Sequence, residues 1–190
     1  MSSFLSDLIY CHLVSSIHQC IYQQTPNQYK YIPVEVFDAS AGEVTFEVKA
    51  RNDAHIALGE DKLHNGKKYE IVLGGWGNQQ SVIRGRNQGS NLVTYRAVVL
   101  NNAEYTKFRL SWDKTMLKVE RESGDNWKMI MKLSERDKSP HNAYNWDIRY
   151  MMISTGWGAT GDWRIEEPSP KPDTELEILV REYISSLLSA

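Results

Sequence analysis

Tyr69–Arg84 reads YEIVLGGWGNQQSVIR. Tyr69–Leu73 and Gln80–Arg84 have the make-up of short strands, and Gly74-Gly75-Trp76-Gly77-Asn78 between them is a turn built on glycine. Ile153–Ile165, ISTGWGATGDWRI, repeats the device, with a strand running into Gly156-Trp157-Gly158. Two GWG turns of this kind read as matched corners of one β-rich domain.

The surrounding chain keeps a period of two. Tyr29, Tyr31, Pro33 and Val34–Val36 form a first predicted strand, and Ala41-Gly42 a turn. Glu43–Ala50, EVTFEVKA, alternates Val44, Phe46, Val48 and Ala50 against Glu43, Thr45, Glu47 and Lys49, the pattern of a strand with one wet face. Further strands are predicted at His55–Leu58, Lys67–Leu73, Leu92–Leu100, Lys107–Trp112, Met116–Glu122, Trp127–Leu133 and Asp147–Ser154. No helical pattern separates them, which excludes a parallel α/β fold. The spacing predicts a mainly β chain, an antiparallel β-sandwich or jelly roll over residues 29–166, flanked by an N-terminal and a C-terminal amphipathic helix.

The N-terminal helix is expected within residues 1–25, where Leu5, Leu8, Ile9, Leu13, Ile17, Cys20 and Ile21 follow a helical period from residue 3 to about 23. A strand through Leu13–Tyr22 is the competing reading. Residues 167–172 are a Pro-rich linker. Residues 173–190 are expected to form the second helix, with Leu176, Val180, Tyr183 and Leu187 along an a/d seam suited to self-association. The alternative is that this helix folds back on the sandwich.

Composition narrows the function. A net charge of -2 and a pI near 6.2 give no electrostatic grip on nucleic acid or an anionic membrane. No run approaches transmembrane length. The two cysteines, Cys11 and Cys20, form no metal-ligand motif. On one helix they would face opposite sides, so they are expected as free thiols or as intermolecular partners. The N-terminus lacks a positive n-region and a cleavage site, so the chain as written is expected to be cytoplasmic, or secreted if a leader has been removed.

Asn52-Asp53-Ala54-His55-Ile56-Ala57-Leu58, the two GWG segments and the FRLSW segment at Phe108–Trp112 together resemble the farnesoic acid O-methyltransferase-type domain. The resemblance covers about residues 30–166, and such domains occur in arthropods and other invertebrates, alone or repeated. It implies a β-sandwich, and by its name a methyltransferase. The residues argue against that activity. A conventional methyl-donor site uses a glycine loop between a strand and a helix N-terminus, whereas these glycines lie between strands.

Binding chemistry centres on the turns. A tryptophan flanked by glycines at a strand end can stack on the apolar face of a sugar or another planar ligand. Asn78, Arg84, Asp162 and Arg164 would supply hydrogen bonds around it, an arrangement suited to a neutral carbohydrate. The ligand-binding set is therefore Trp76, Gly77, Asn78, Arg84, Trp157, Gly158 and Asp162. The bland alternative is that Trp76 and Trp157 plug the ends of the core. Trp163, alternating with Asp162 and Arg164, is expected to point inward. Asp53 and His55, with Glu70 or Asp113, could serve as acid and base or hold a metal. The plainer expectation is that Asp53 bonds a turn and His55 is satisfied at a sheet edge. No catalytic residue, metal or cofactor is assigned. The expected function is lectin-like carbohydrate recognition by a homo-oligomer. A protein–protein scaffold is the first alternative and the methyltransferase the second.

Overall fold

The computed structural model describes residues 20–35, 37–134 and 147–166. They form twelve strands. In chain order these are β1 (Cys20–Thr25), β2 (Gln28–Pro33), β3 (Glu43–Ala50), β4 (Ala54–Gly59), β5 (Lys68–Gly74) and β6 (Gln80–Arg84), then β7 (Asn91–Tyr95), β8 (Thr106–Trp112), β9 (Met116–Ser123), β10 (Asn126–Ser134), β11 (Tyr150–Thr155) and β12 (Gly161–Glu166). They build two six-stranded sheets, ordered β1-β12-β3-β8-β9-β10 and β2-β11-β4-β5-β6-β7. Every strand pair is antiparallel.

The core lies between the sheets. Val44, Phe46 and Val48 of β3 meet Phe108 and Leu110 of β8 and Trp163 and Ile165 of β12 on one side. Ile56, Leu58, Ile71, Leu73, Met151 and Ile153 face them from the other. The alternation read in Glu43–Ala50 is observed residue for residue. Trp163 is fully buried and its indole N–H donates to Thr25 Oγ1 at 2.9 Å. This satisfies the one polar atom that so large a buried side chain carries.

The N-terminal expectation is corrected where it can be compared. Cys20–Thr25 is not the end of a helix but strand β1, paired along its length with β12. The edge of the first sheet offers backbone partners that a helix would have left empty, and Ile21 and Tyr22 suit a strand as well as a helix. Cys20 is also not a free thiol but disulfide-bonded. With Cys20 on a strand, helical geometry no longer sets the two cysteines on opposite sides. Cys11 and the rest of residues 1–19 lie outside the described residues, as do the linker and the 173–190 stretch with Leu176, Val180, Tyr183 and Leu187.

Two other strands are shorter than expected. Of Leu92–Leu100, only the part up to Tyr95 pairs in a sheet. The backbone N–H groups of Val99 and Leu100 are taken instead by Asn78 Oδ1, at 3.2 and 3.1 Å. The last long strand begins at Tyr150, not Asp147.

The second sheet is buried on both faces at its centre. Alternation puts His55, Ala57, Glu70, Val72, Met152 and Ser154 on the face away from the core. All six are nevertheless inaccessible. Tyr29 and Tyr31 of β2 cover part of this outer face, packed on Ala57 and Met152.

Candidate functional site

The strand order assembles the site. β4 lies between β11 and β5, and both pairings are antiparallel. The start of β4 therefore sits between the ends of β11 and β5, where the two GWG turns begin. Asn52 and Asp53 tie the corners together. Asp53 N donates to Gly74 O at 3.0 Å, and Asn52 Nδ2 reaches Trp157 O at 3.4 Å.

A cleft of about 600 Å³ opens here, lined by Arg51, Asn52, Asp53, His55, Val72, Trp76, Gly77, Arg84, Gln88 and Trp157. Trp76 is 52% exposed and Trp157 56%, so neither plugs the core. Trp157 stacks on the His55 ring at 5.1 Å with a 23° interplanar angle, and leans on Tyr29 at 4.9 Å. Arg84 lies over the Trp76 ring, 5.5 Å from its centroid. Each tryptophan is braced from beneath by a cationic or ionisable side chain and leaves much of its surface to solvent.

The backbone here is strained. Five described residues other than glycine have positive φ, and four of them, Asp53, Trp76, Gln88 and Trp157, line the cleft. Each such conformation costs about 1–3 kcal/mol and persists only where its surroundings impose it. The second turn has Trp157 at φ 50° and Gly158 at φ 90°, closed by Ala159 N to Gly156 O at 3.0 Å. The first has left-handed φ/ψ at Trp76 and Gly77. A Cβ at Gly77 or Gly158 would meet nothing within 4 Å, so these glycines serve the backbone angle rather than close packing.

Glu70 organises the floor behind the cleft. Its Oε1 accepts from the Tyr29 hydroxyl and, at 2.8 Å, from the Tyr31 hydroxyl. Its Oε2 accepts from Arg84 Nη1 at 3.0 Å and from Gln88 N at 2.8 Å. His55 sits between carboxylates, with Nδ1 3.5 Å from Glu70 Oε1 and Nε2 3.8 Å from Asp53 Oδ1. Neither ring nitrogen makes a well-formed hydrogen bond, although the side chain is only 2% exposed. His55 is therefore not the satisfied sheet-edge histidine expected from sequence. β4 is an interior strand, and the ring is held between two carboxylates and against Trp157 and Tyr29.

Burial alone would raise the Glu70 pKa, but His55, Tyr29 and Tyr31 together hold it down at about 2. Burial alone would lower that of His55, but Asp53 and Glu70 outweigh it and raise the value above 6.5. The two shifts bracket a window. A depressed carboxylate stabilises the fold above its unfolded pKa, and this is lost as pH falls from about 4.5 toward 2. A raised histidine stabilises it below about 6.5, and this is lost as pH rises through the folded value. Stability should peak between about pH 4.5 and 6.5. Glu120, also depressed, adds to the acid limb, so the alkaline limb is the diagnostic one. Melting temperatures from pH 4 to 9 should fall as pH rises beyond about 6.5 in the native chain and fall less in His55→Gln. Matching alkaline limbs would contradict the charge assignment.

The other expected site residues divide clearly. Trp76, Gly77, Arg84 and Trp157 line the cleft, and Gly158 adjoins it in the second turn, its N–H donating to Asn27 Oδ1 at 2.9 Å. Asn78 turns away, its amide clamping Val99 and Leu100 and donating to Leu100 O at 2.8 Å. Asp162 is not brought to the cleft. It belongs to β12 in the other sheet, where it pairs with Lys49 at 3.2 Å and accepts from Gln24 Nε2 at 2.8 Å. Arg164 is likewise in β12, against Glu47 at 3.2 Å. Asp113 caps the turn between β8 and β9 and does not approach His55. Among the described residues no cluster of His, Cys, Asp and Glu could hold a metal. Sequence reading did not select Arg51, Val72 or Gln88.

The sequence pattern of the family described as "Farnesoic acid 0-methyl transferase" matches residues 25–169. The chain belongs to this family. No curated protein matches it. Among solved structures, this family member is similar to the exoplasmic/lumenal domain of VIP36 in its Ca2+/Man3GlcNAc-bound form, at 11% identity and a TM-score of 0.46, over 83% of this chain and 86% of that one. It is similar to the carbohydrate-binding module CBM66 from Bacillus subtilis, at 9% identity and a TM-score of 0.47, over 75% and 91%. A prokaryotic β-1,3-1,4-glucanase from a mouse hindgut metagenome is similar at 9% identity and a TM-score of 0.44, over 78% and 80%. These likenesses are distant and do not say what the cleft holds.

Proposed function

We propose that this family member is a lectin-like protein that binds a saccharide in the cleft between Trp76 and Trp157. The observation that carries this is the pair of exposed indoles on one strained, polar-lined cleft. Strained turns that expose large aromatics, instead of burying them, are sensible only if the exposed faces are used. Sugars present the matching chemistry, with apolar C–H faces for the rings and hydroxyls for Asn52, Asp53, Arg84 and Gln88.

The methyltransferase in the family's name finds less support. The glycines of both turns end strands of an antiparallel sheet. A phosphate-bearing or nucleoside cofactor is ordinarily held where a glycine loop opens a helix. Self-association through the apolar seam at Leu176, Val180, Tyr183 and Leu187 belongs to the same proposal, because a shallow site gains from multivalency. The disulfide at Cys20 favours an oxidising compartment, hence the secreted branch of the localisation expectation.

A glycan array followed by calorimetry tests the reading, using the 190-residue chain, whose mass by light scattering should be at least twice 21.9 kDa. Saccharide binding at micromolar to millimolar concentration is the expected result. Silence across the array, or binding of the methyl donor instead, would overturn the proposal. A monomeric mass would remove its oligomeric part.

A further inference from the structure

Five charged or ionisable side chains meet at the cleft and its floor: Arg51, Asp53, His55, Glu70 and Arg84. Four of them neutralise one another. Arg84 is paired with Glu70 at 3.0 Å and further fixed by its Nε bond to Asn91 Oδ1 at 2.9 Å. His55 lies against Asp53 and, on its other side, Glu70. The remaining groups packed on His55, Tyr29 from β2 and Trp157 from the turn after β11, are uncharged. Arg51 stands at the start of this constellation, exposed, with no ion pair or hydrogen bond among the described residues. With His55 protonated, the charges sum to one uncompensated positive charge on the cleft lining.

That charge has a chemical meaning if the cleft is a saccharide site, and the inference rests on that reading. We infer that the cleft selects acidic saccharides, with the Arg51 guanidinium receiving a carboxylate of a uronic or sialic acid residue. Arginine suits this because its planar fork donates two parallel hydrogen bonds to a carboxylate. The floor gives a second, independent reason. His55 is almost wholly buried, lines the cleft and has no hydrogen-bond acceptor of good geometry. An anionic ligand would add to the negative potential that holds this ring, whereas a cationic one would oppose both His55 and Arg51. Asp53 does not cancel the preference, because its charge is already set against His55, 3.8 Å from its Oδ1.

The experiment compares glycans in matched pairs, each neutral oligosaccharide beside the same backbone carrying a uronic or sialic acid, on one array at low salt. Preferred acidic members should be followed by calorimetry. Arg51→Gln should then weaken acidic binding about tenfold, well beyond any loss for the neutral partner, while Arg51→Lys should retain part of the acidic affinity. Added salt should weaken the acidic member alone. Equal binding of neutral and acidic members would overturn this inference and leave the saccharide site standing. A uniform loss for both members in Arg51→Gln would also overturn it, as would unchanged acidic binding. No binding of either member would overturn the site itself.

Discussion

Glu70→Ala should lower the stability of the domain by roughly 3–5 kcal/mol, the cost of removing one partner from a buried ion pair. The expectation follows from what the carboxylate holds. Its side chain is fully buried, and hydroxyls from β2, a guanidinium from β6 and a backbone N–H from the loop beyond β6 all converge on it. Alanine would strand Arg84, whose side chain is only 13% exposed, and leave His55 with Asp53 alone. It would also release Gln88 N, the contact that fixes the left-handed backbone there. Glu70→Gln should cost less, about 1–3 kcal/mol. Its amide oxygen can still serve Arg84 and Gln88, and the tyrosine hydroxyls can turn to accept from its amide nitrogen. Against a total stability of about 5–15 kcal/mol, the alanine variant should lose a large part of the whole. Its melting temperature should drop by roughly 10 °C or more. Urea unfolding of the two variants beside the parent is the measurement. An alanine midpoint indistinguishable from the parent would mean that Glu70 does not organise the floor.

The hub shows where reading the chain alone runs out. The core strands were legible because Val44, Phe46 and Val48 alternate with polar residues, and a wet outer face leaves that imprint. The centre of the second sheet leaves no such imprint, because both its faces are covered. Ala54–Gly59 and Lys68–Gly74 are buried at every position, so Glu70 and His55 look like the solvent-facing members of ordinary strands. Their burial is set by Tyr29, Tyr31 and the Arg86–Ser90 loop, which arrive from distant parts of the chain. The same non-locality explains Asp162. It lies close in sequence to Trp157, yet the chain changes sheets between β11 and β12 and carries it to the other side of the sandwich. The two corners themselves were readable, since a tryptophan between glycines is a local signal. That they share a cleft depends on β4 lying between β5 and β11, which no local pattern states. β1 is legible only as the competing strand through Leu13–Tyr22, for a related reason: its strand character comes from pairing with β12.

Trp76→Ala should cost the saccharide affinity about tenfold or more and leave the fold unchanged. The indole is half exposed and its ring faces the Arg84 guanidinium, so little packing is lost. Exposed substitutions of this kind usually stay within about 0.5 kcal/mol in stability. What disappears is a flat apolar plate. Aromatic contacts contribute about 0.5–1.5 kcal/mol beyond the area they cover, and each 1.4 kcal/mol is a factor of ten. Trp157→Ala should lose at least as much affinity and, unlike Trp76→Ala, some stability too. Its ring roofs His55 and leans on Tyr29, so its removal admits water to the buried charge pair and weakens the attraction that holds it. The contrast between the two variants is the informative result. Calorimetry against the saccharide chosen by the array, run beside thermal melts, separates loss of a binding surface from loss of the fold. Variants that stay folded and bind within twofold of the parent would show that the exposed tryptophans are not the plates of the site. Equal destabilisation by both would show that Trp76, too, is a structural brace, and that the cleft is held open for something other than stacking.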